Sequence, residues 1–431
     1  MKALQNCLQA LCAVLLSMGS VLHSQAPSSV PGAPVATEPQ ATFQKSKPPI
    51  SFDHEGMLFS TRHGATKLRV HGYIQADNRM FWNNLHGEPL DQFLFRRIRP
   101  LFEGTLFNAV DFRFMPDFGQ NNPQIQEAYV EWKSLPIAKL RVGKFKEPIG
   151  LEVLKSDREL TFVERSLASD LVPLRYVGIQ VAGAAFSNSI AYAAGYFNGT
   201  DDGSNGNFQW ADSHEFAGRL FLLPFARTHV TLARQLGIGV AGSSGDVQGA
   251  VAGLKTVGQT TFFKYSSTTV ANGRHERVSP QAYYYAGPLG VMSEFAVSAQ
   301  DVLNNGASRK LRDDAWEVAG SLVLTGEKNS YSGIRPRLSF DPAKGWRHMG
   351  AVELASRYSV LRVDAAAFPI FANPISAAQH AGEFALGANW YLNHFIKLVT
   401  DYEHTTFSMA AGSTKPLHSE KVLMSRLQLA F

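Results

Sequence analysis

Between residue 66 and the C-terminus, apolar side chains recur at every second position in stretch after stretch. In "KLRVHGYIQADNRM", Leu68, Val70, Ile74, Ala76 and Met80 share one parity, while Arg69, His71, Tyr73, Gln75, Asp77 and Arg79 hold the other. "FNAVDFRFMPDFG" sets Phe112, Phe114 and Phe118 against Asp111, Arg113 and Asp117, and "QEAYVEWKS" sets Ala128, Val130 and Trp132 against Glu127, Tyr129, Glu131 and Lys133. Successive side chains of a strand point to opposite faces, so this period of two describes strands with one greasy and one polar face. A soluble sandwich also alternates, but it turns the apolar faces inward on each other. A membrane barrel turns them out to lipid and keeps the polar faces for its lumen.

The connections choose between the two. Tight ones fall at Asn108-Ala109, Ser134-Pro136, Ser187-Asn188, Pro224-Arg227, Gly287-Gly290 and Leu392-His394. Longer polar stretches lie near 83–91, 119–123, 146–173, 199–212, 239–274, 301–312, 361–380 and 408–416. Short and long therefore alternate, with one exception, a longer turn around 326–345. "QTTFFKY" at 259–265 belongs inside a long loop, which keeps the tight Gly287-Gly290 turn on the short-turn side. Outer-membrane barrels alternate short periplasmic turns with longer outer loops and have an even strand count. The expected fold is an all-β transmembrane antiparallel barrel of about sixteen strands. Closure pairs the last strand, "KVLMSRLQLAF", with the first, leaving no free edge. Leu423, Leu427 and Leu429 then meet lipid, and Phe431 sits in the interfacial girdle.

The N-terminus supports export. "MKALQNCLQALCAVLLSMGSVLHSQA" has a lysine, an apolar centre and a small-x-small ending at Ser24-Gln25-Ala26, the pattern of a signal peptide over residues 1–26. Residues 27–49, rich in Pro, Ser and Ala, read as a flexible tether, 50–65 as a short periplasmic β lead-in, and 66–431 as the barrel. Cys7 and Cys12, the only two cysteines, both lie in the signal peptide, so the mature chain carries no disulfide framework or thiol site. A net charge of +5 is too slight and dispersed for nucleic acid. "GIGVAG" at 237–242 has no βαβ unit around it, so no dinucleotide site is expected. The histidines show no metal-ligand spacing, and no cofactor or metal is implied. "NGT" at 198–200 is a formal glycosylation acceptor that a bacterial chain would not use. With no G-x-S-x-G and no convincing Ser/His pair, a barrel enzyme is the weaker rival, and the chain is not expected to be an enzyme.

By parity the inward basic residues are Lys67, Arg69, Arg79, Arg97, Arg99, Arg113, Lys133, Arg141, Arg219, Arg357 and Arg426. Guanidinium forks on a lumen wall can pass an anion along by replacing its hydration. Equally, each could pair with Asp77, Glu103, Asp111, Glu127, Glu131, Glu215 or Glu353 and merely solvate the interior. In "RRIR", Arg97 and Arg99 point inward together, and Arg96 is expected to snorkel at the outer rim.

Several stretches carry a resemblance. "FLFRRIRPLFEGTLFNAVDFRFMPDFGQNNPQIQEAYVEW", "LRVGKFKEPIGLEVLKSDRELTFVERSLASDLVPLRYVGIQV" and "AAGYFNGTDDG" resemble the phosphate-selective porin O and P family, and "SPQAYYYAGPLGVMSEF" and "SFDPAKGW" continue the likeness. The resemblance, spanning roughly residues 50 to 431, implies a sixteen-stranded homotrimeric channel of the bacterial outer membrane. It implies arginines along the pore, lysines in the periplasmic vestibule and a third outer loop folded inward. That loop is 146–173, with Lys146, Lys155, Ser156, Asp157, Arg158, Arg165 and Asp170; Glu147, Glu152, Glu159 and Glu164 also lie there, so its charge is mixed. The implied activity is passive, anion-preferring diffusion, of phosphate or polyphosphate. The pore-lining set is Arg69, Arg79, Arg97, Arg99, Arg113, Arg141, Lys155, Ser156, Arg158, Arg219 and Arg357. Expected partners are inorganic phosphate or other small anions, outer-membrane lipid, the barrel-assembly machinery and two further copies of the chain, with no nucleic acid. A general diffusion porin without phosphate selectivity is the alternative.

Overall fold

A hydrocarbon environment offers no partner to a backbone N–H or C=O, so a sheet can cross it only by closing on itself. The computed structural model describes residues 50–431 except 54, 62, 84, 86–90, 136, 200, 208–211, 231, 412 and 414–416. The expected signal peptide and tether lie outside the described residues. A short hairpin, β1 (Ile50–Asp53) and β2 (Gly56–Ser60), leads into the wall. The first half of the wall is β3 (Lys67–Asn83), β4 (Gln92–Leu106), β5 (Val110–Asp117), β6 (Gln124–Trp132), β7 (Lys139–Lys146), β8 (Arg175–Ala185), β9 (Ile190–Asn198) and β10 (His214–Leu222). After β11 (Leu236–Ala250) come two short loop strands, β12 (Leu254–Lys255) and β13 (Thr261–Phe263). The wall resumes with β14 (Val270–Ala286), β15 (Leu289–Asn304), β16 (Ala307–Val323), β17 (Ala351–Arg362), β18 (Ala378–Tyr391), β19 (Ile396–Met409) and β20 (Glu420–Ala430).

Sixteen of these strands pair antiparallel in chain order, and β20 pairs with β3 to complete the circle, Leu429 opposite Ile74 and Ala430 opposite Tyr73. At the seam Gly72 N–H donates to the Phe431 carbonyl at 2.8 Å, and Phe431 N–H returns a bond to the Gly72 carbonyl at 3.0 Å. Below Phe431 the ladder on β3 continues with β2, from Met57 opposite Val70 to Ser60 opposite Lys67. The β3 edge is thus covered along its length.

Burial is inverted relative to a soluble protein. Phe93 is 80% exposed and Trp82 61%, with Phe216, Leu386 and Leu427 similarly bare, while Gln75, Asp77, Glu215, Arg357 and Glu383 are buried. The apolar parity faces out and the charged parity faces in, which identifies a membrane barrel.

Some boundaries differ from expectation. The stretch 301–312 is no loop: β15 and β16 run through it and join at Asn305-Gly306, both at positive φ (48° and 86°), the geometry of a two-residue hairpin. The expected loop 239–274 shrinks to 251–269, because β11 and β14 extend into it. Strands of 16 and 17 residues exceed the ~10 that span a bilayer. Their outer ends stand in water, so Arg309, Lys310 and Arg312 carry loop-like polarity on regular strand. The Pro224–Arg227 turn lengthens to 223–235, and the exceptional turn runs 324–350.

Arg96 does not snorkel outward. A register shift between Gln75 and Ala76, opposite Arg97 and Phe95, makes Arg96 an extra residue in β4 and turns it inward beside Arg97. A second shift at Met115/Pro116 does the same to Gln126.

A Cβ on Gly72 would lie 2.7 Å from the Arg99 carbonyl and 3.1 Å from the Phe431 ring. Folded protein should migrate faster unheated than boiled in detergent gels, and Gly72→Leu should lower the temperature at which the fast band disappears. An overpacking loss of about 1–3 kcal/mol is expected, and an unchanged transition would show that the seam tolerates the side chain.

Candidate functional site

The lumen holds two groups of charge, and the chain between β7 and β8 lies against both. Residues 147–174 carry enough apolar side chains to pack: Ile149, Leu151, Val153, Phe162, Val163, Leu167 and Leu171 are all buried. The segment turns at Gly150 (φ 80°), makes one helical turn at Leu151–Leu154 and a 3-10 turn at Asp157–Glu159. Ser156 Oγ caps that second turn, accepting from Arg158 N–H at 3.4 Å.

Its polar groups are matched to the wall they face. Toward the acidic side, Leu151 and Glu152 N–H donate to Glu294 Oε2 at 2.7 and 3.1 Å, Val163 N–H donates to Asp401, and Leu167 N–H donates to Ser359 Oγ at 3.4 Å. Its carbonyls accept from the wall in turn: Leu160 from Lys397 at 2.6 Å, Thr161 from Asn389 at 2.8 Å, and Glu164 from Arg357 at 3.0 Å. Toward the basic side, two carboxylates collect guanidiniums. Glu164 takes Arg79 at 2.8 Å and Arg96 at 2.5 Å. Asp157 takes Arg99 and Arg165 in short contacts, Arg175 at 3.4 Å and Arg97 at 3.8 Å. Burial opposes ionisation of Asp157, but Arg165, Arg99 and Arg97 outweigh it and hold the carboxyl well below the usual range. For Glu164 burial is likewise outweighed, by Arg96, Arg97 and Arg79.

The long turn 324–350 reaches the same place from the other end. Ile334 packs among inward-facing Val323, Ala351 and Tyr391. Tyr331 Oη donates to the Leu151 carbonyl at 2.6 Å, and Arg335 pairs with Glu159 at 3.0 Å. Beside β14–β19 the lumen is therefore packed with protein.

Open space remains beside β3–β10. A cavity of about 530 Å³ is lined by Arg113, Arg141, Lys146, Arg175 and Arg219 as cations, against Glu127 and Asp157 as carboxylates. Arg141 sits 4.3 Å over the Tyr129 ring and pairs with Glu131 at 2.6 Å; Arg113 pairs with Glu103 at 2.5 Å and Glu127 at 3.2 Å. Lys146 bonds the Lys155 carbonyl at 2.6 Å, and Arg219 stacks 4.5 Å over Phe221 and bonds Gln281 at 3.1 Å. Toward the short-turn end a second cavity of about 400 Å³ shares Arg113 and Tyr129 and adds Lys67, Arg69 and Lys133, against Glu103, Asp111 and Glu131.

Of the residues the sequence singled out, Arg113, Arg141, Ser156 and Arg219 line the larger cavity and Arg69 the smaller. Arg69 is held by Asp53 of β1 at 2.6 Å. Arg79, Arg97, Arg99 and Arg357 are buried in ion pairs and reach neither space. Arg357 joins Glu383 at 3.0 Å and Glu403 at 3.3 Å and stacks 4.4 Å over Phe162. Lys155 faces the acidic side, its ammonium 3.4 Å from Thr161 Oγ1, and Arg158 sits 3.7 Å from Glu159. The pairing alternatives Asp77, Glu103, Asp111, Glu127, Glu131 and Glu215 each hold a cation, Asp77 holding Arg426 at 2.6 Å. Three residues escaped the parity reading: Arg175, Arg277, paired with Glu215 at 2.7 Å, and Lys397. Arg277 and Lys397 stood on plain inward parity, which was the signal available.

The sequence profile described as phosphate-selective porin O and P matches residues 68–431. The chain belongs to that family. It is an outer-membrane porin. Among curated relatives, Porin O of Pseudomonas aeruginosa is 23% identical over 378 residues, covering 80% of this chain and 84% of that protein. Solved barrels share the fold: the outer membrane channel DcaP of Acinetobacter baumannii (TM-score 0.57, 7% identity, 86% of this chain and 99% of that one) and an anion-selective porin from Comamonas acidovorans (TM-score 0.53, 11% identity, 85% and 100%). So does the trimer form of OmpT from Vibrio cholerae (TM-score 0.53, 12% identity, 85% and 100%).

Asp157 is the keystone between the segment and the basic wall. Because its carboxyl is depressed in the folded state, its contribution is complete above the ordinary carboxylate range and is lost only as pH falls below about 4. Asp157→Asn leaves guanidiniums around a neutral amide and should destabilise docking by about 3–5 kcal/mol. The expected readout is proteolytic nicking within 147–174 and a larger, noisier single-channel conductance at neutral pH.

Proposed function

We propose that this porin is a passive, anion-preferring channel for inorganic phosphate or similar small anions, narrowed by residues 147–174. The observation that carries the reading is the lumen's remaining space, in which four arginines and Lys146 face two carboxylates. Electroneutrality elsewhere is local: the carboxylates of Asp157 and Glu164 are already committed to arginines buried behind the cavity wall. Lys67, Arg69 and Lys133, then Arg113 and Arg141, then Lys146, Arg175 and Arg219 follow one another along one wall, eight basic side chains interleaved with the carboxylates of Glu103, Asp111, Glu131, Glu127 and Asp157. Along that wall a guanidinium fork can exchange for water on an anion's oxygens without trapping it, because each cation is partly engaged by a neighbour. The description of the family as phosphate-selective favours the same reading. The functional unit is a homotrimer, in keeping with the trimer form of the OmpT barrel. A channel without phosphate selectivity is the competing reading, and solute exchange at Arg113 and Arg141, each holding a carboxylate, is the feature that favours it.

Replacing Arg141 and Arg219 together by alanine should lower the anion-over-cation permeability ratio several-fold, most at low salt, where the screening length grows from about 10 Å at 0.1 M to about 30 Å at 0.01 M. Arg97→Ala should change selectivity less than this pair does. A wild-type reversal potential that is indifferent or cation-selective would leave a general porin. Phe431, half exposed at the seam, contributes only about 1 kcal/mol of ring burial. Phe431→Ala should therefore fold in detergent, and if the assembly machinery reads this ring the variant should reach the outer membrane in reduced amount. Normal amounts in the membrane would remove that role.

A further inference from the structure

The 324–350 segment has an outer side as well as an inner one. Where it leaves β16 and rejoins β17 it encloses a cavity of about 540 Å³, walled by Leu324, Leu338, Met349 and Val352 and including Arg337, Arg347 and Glu327. This space is on the outside of the barrel. Val352 shares its parity with Leu354, and Leu324 with Leu322, and Leu354 and Leu322 are both more than 40% exposed on the lipid face.

Its depth is fixed by aromatic residues. Val352 lies opposite Trp390, whose indole N–H donates to the Met349 carbonyl at 2.6 Å, and the Phe340 ring meets Trp390 edge-on at 5.0 Å. Tryptophan with its N–H satisfied at the end of a lipid-facing strand marks the boundary between hydrocarbon and headgroups. Val352 stands on β17, Leu324 and Met349 lie one and two residues from the strand ends, and Leu338, Arg337 and Arg347 come from within the connection. Arg337 is set in place by a bond to the Gly326 carbonyl at 2.6 Å, and Glu327 is turned to the Thr325 hydroxyl.

We propose that this cavity binds one glycerophospholipid of the inner leaflet. An acyl chain lies along Leu324, Leu338, Met349 and Val352, and Arg337 and Arg347 take the headgroup phosphate. A guanidinium pair matches a phosphate's oxygens, and basic residues at a membrane surface attract anionic lipid. Free phosphate would use the arginines but not the apolar walls, so the two surfaces together specify a lipid.

The test is native mass spectrometry of the full-length protein released from non-ionic detergent with added phosphatidylglycerol. One retained lipid per chain is expected. Arg337→Ala with Arg347→Ala should reduce the retained fraction by about tenfold, and Leu338→Glu should reduce it through the apolar wall alone. Channel conductance should be unchanged in both, since neither alters a residue of the lumen cavities. The proposal is overturned if no lipid is retained, if either variant retains it as well as wild type, or if inorganic phosphate alone is held at the arginines.

Discussion

Hydrocarbon gives a peptide group nothing to bond, and the rest of this molecule follows from that constraint. Each strand must find both neighbours, so the last must meet the first. The meeting point is narrow: Gly72 and Phe431 exchange two backbone bonds where a side chain on Gly72 would strike the Arg99 carbonyl. Once the ring is closed, outward positions are fixed as apolar and inward positions as polar, and the charge the chain carries is concentrated inside.

That concentration creates the second problem, since buried charges must be partnered. The answer is a division of the lumen. The acidic side, with Glu294, Glu383, Glu403 and Asp401, is covered by backbone N–H groups of residues 147–174 and spanned by Arg357. The basic side gives Arg79, Arg96, Arg97 and Arg99 to the carboxylates of Asp157 and Glu164. Cations further along β5–β10 are left facing open space. The side chains that border open space are thus the ones that docking leaves over, not the ones that make the docking.

The fold was legible because a period of two survives in local sequence. Arg113 and Arg141 could be placed on the lumen wall by counting alone. Counting failed at Arg96, because a bulge inserts one residue and leaves no local mark. It failed at 301–312, because strand that rises beyond the bilayer is as polar as a loop. It could not say which inward arginines are free. Arg97 meets an Asp157 that lies in a different connection, and Arg357 meets a carbonyl at residue 164. Such pairings are set by closure of the ring, and parity within one strand carries no information about them.

Two segments entering from opposite ends touch where Tyr331 meets Leu151 and Arg335 meets Glu159. One half of the cylinder is therefore backed by close-packed protein, and the other half borders a void. Packed interiors resist compression, and unfilled ones do not. By that argument the arc β14–β19 is expected to yield less to the lateral pressure of the membrane than the arc β5–β10. The gauge of the passage is then set by how far a thin, unsupported arc of wall can bow toward a rigid buttress.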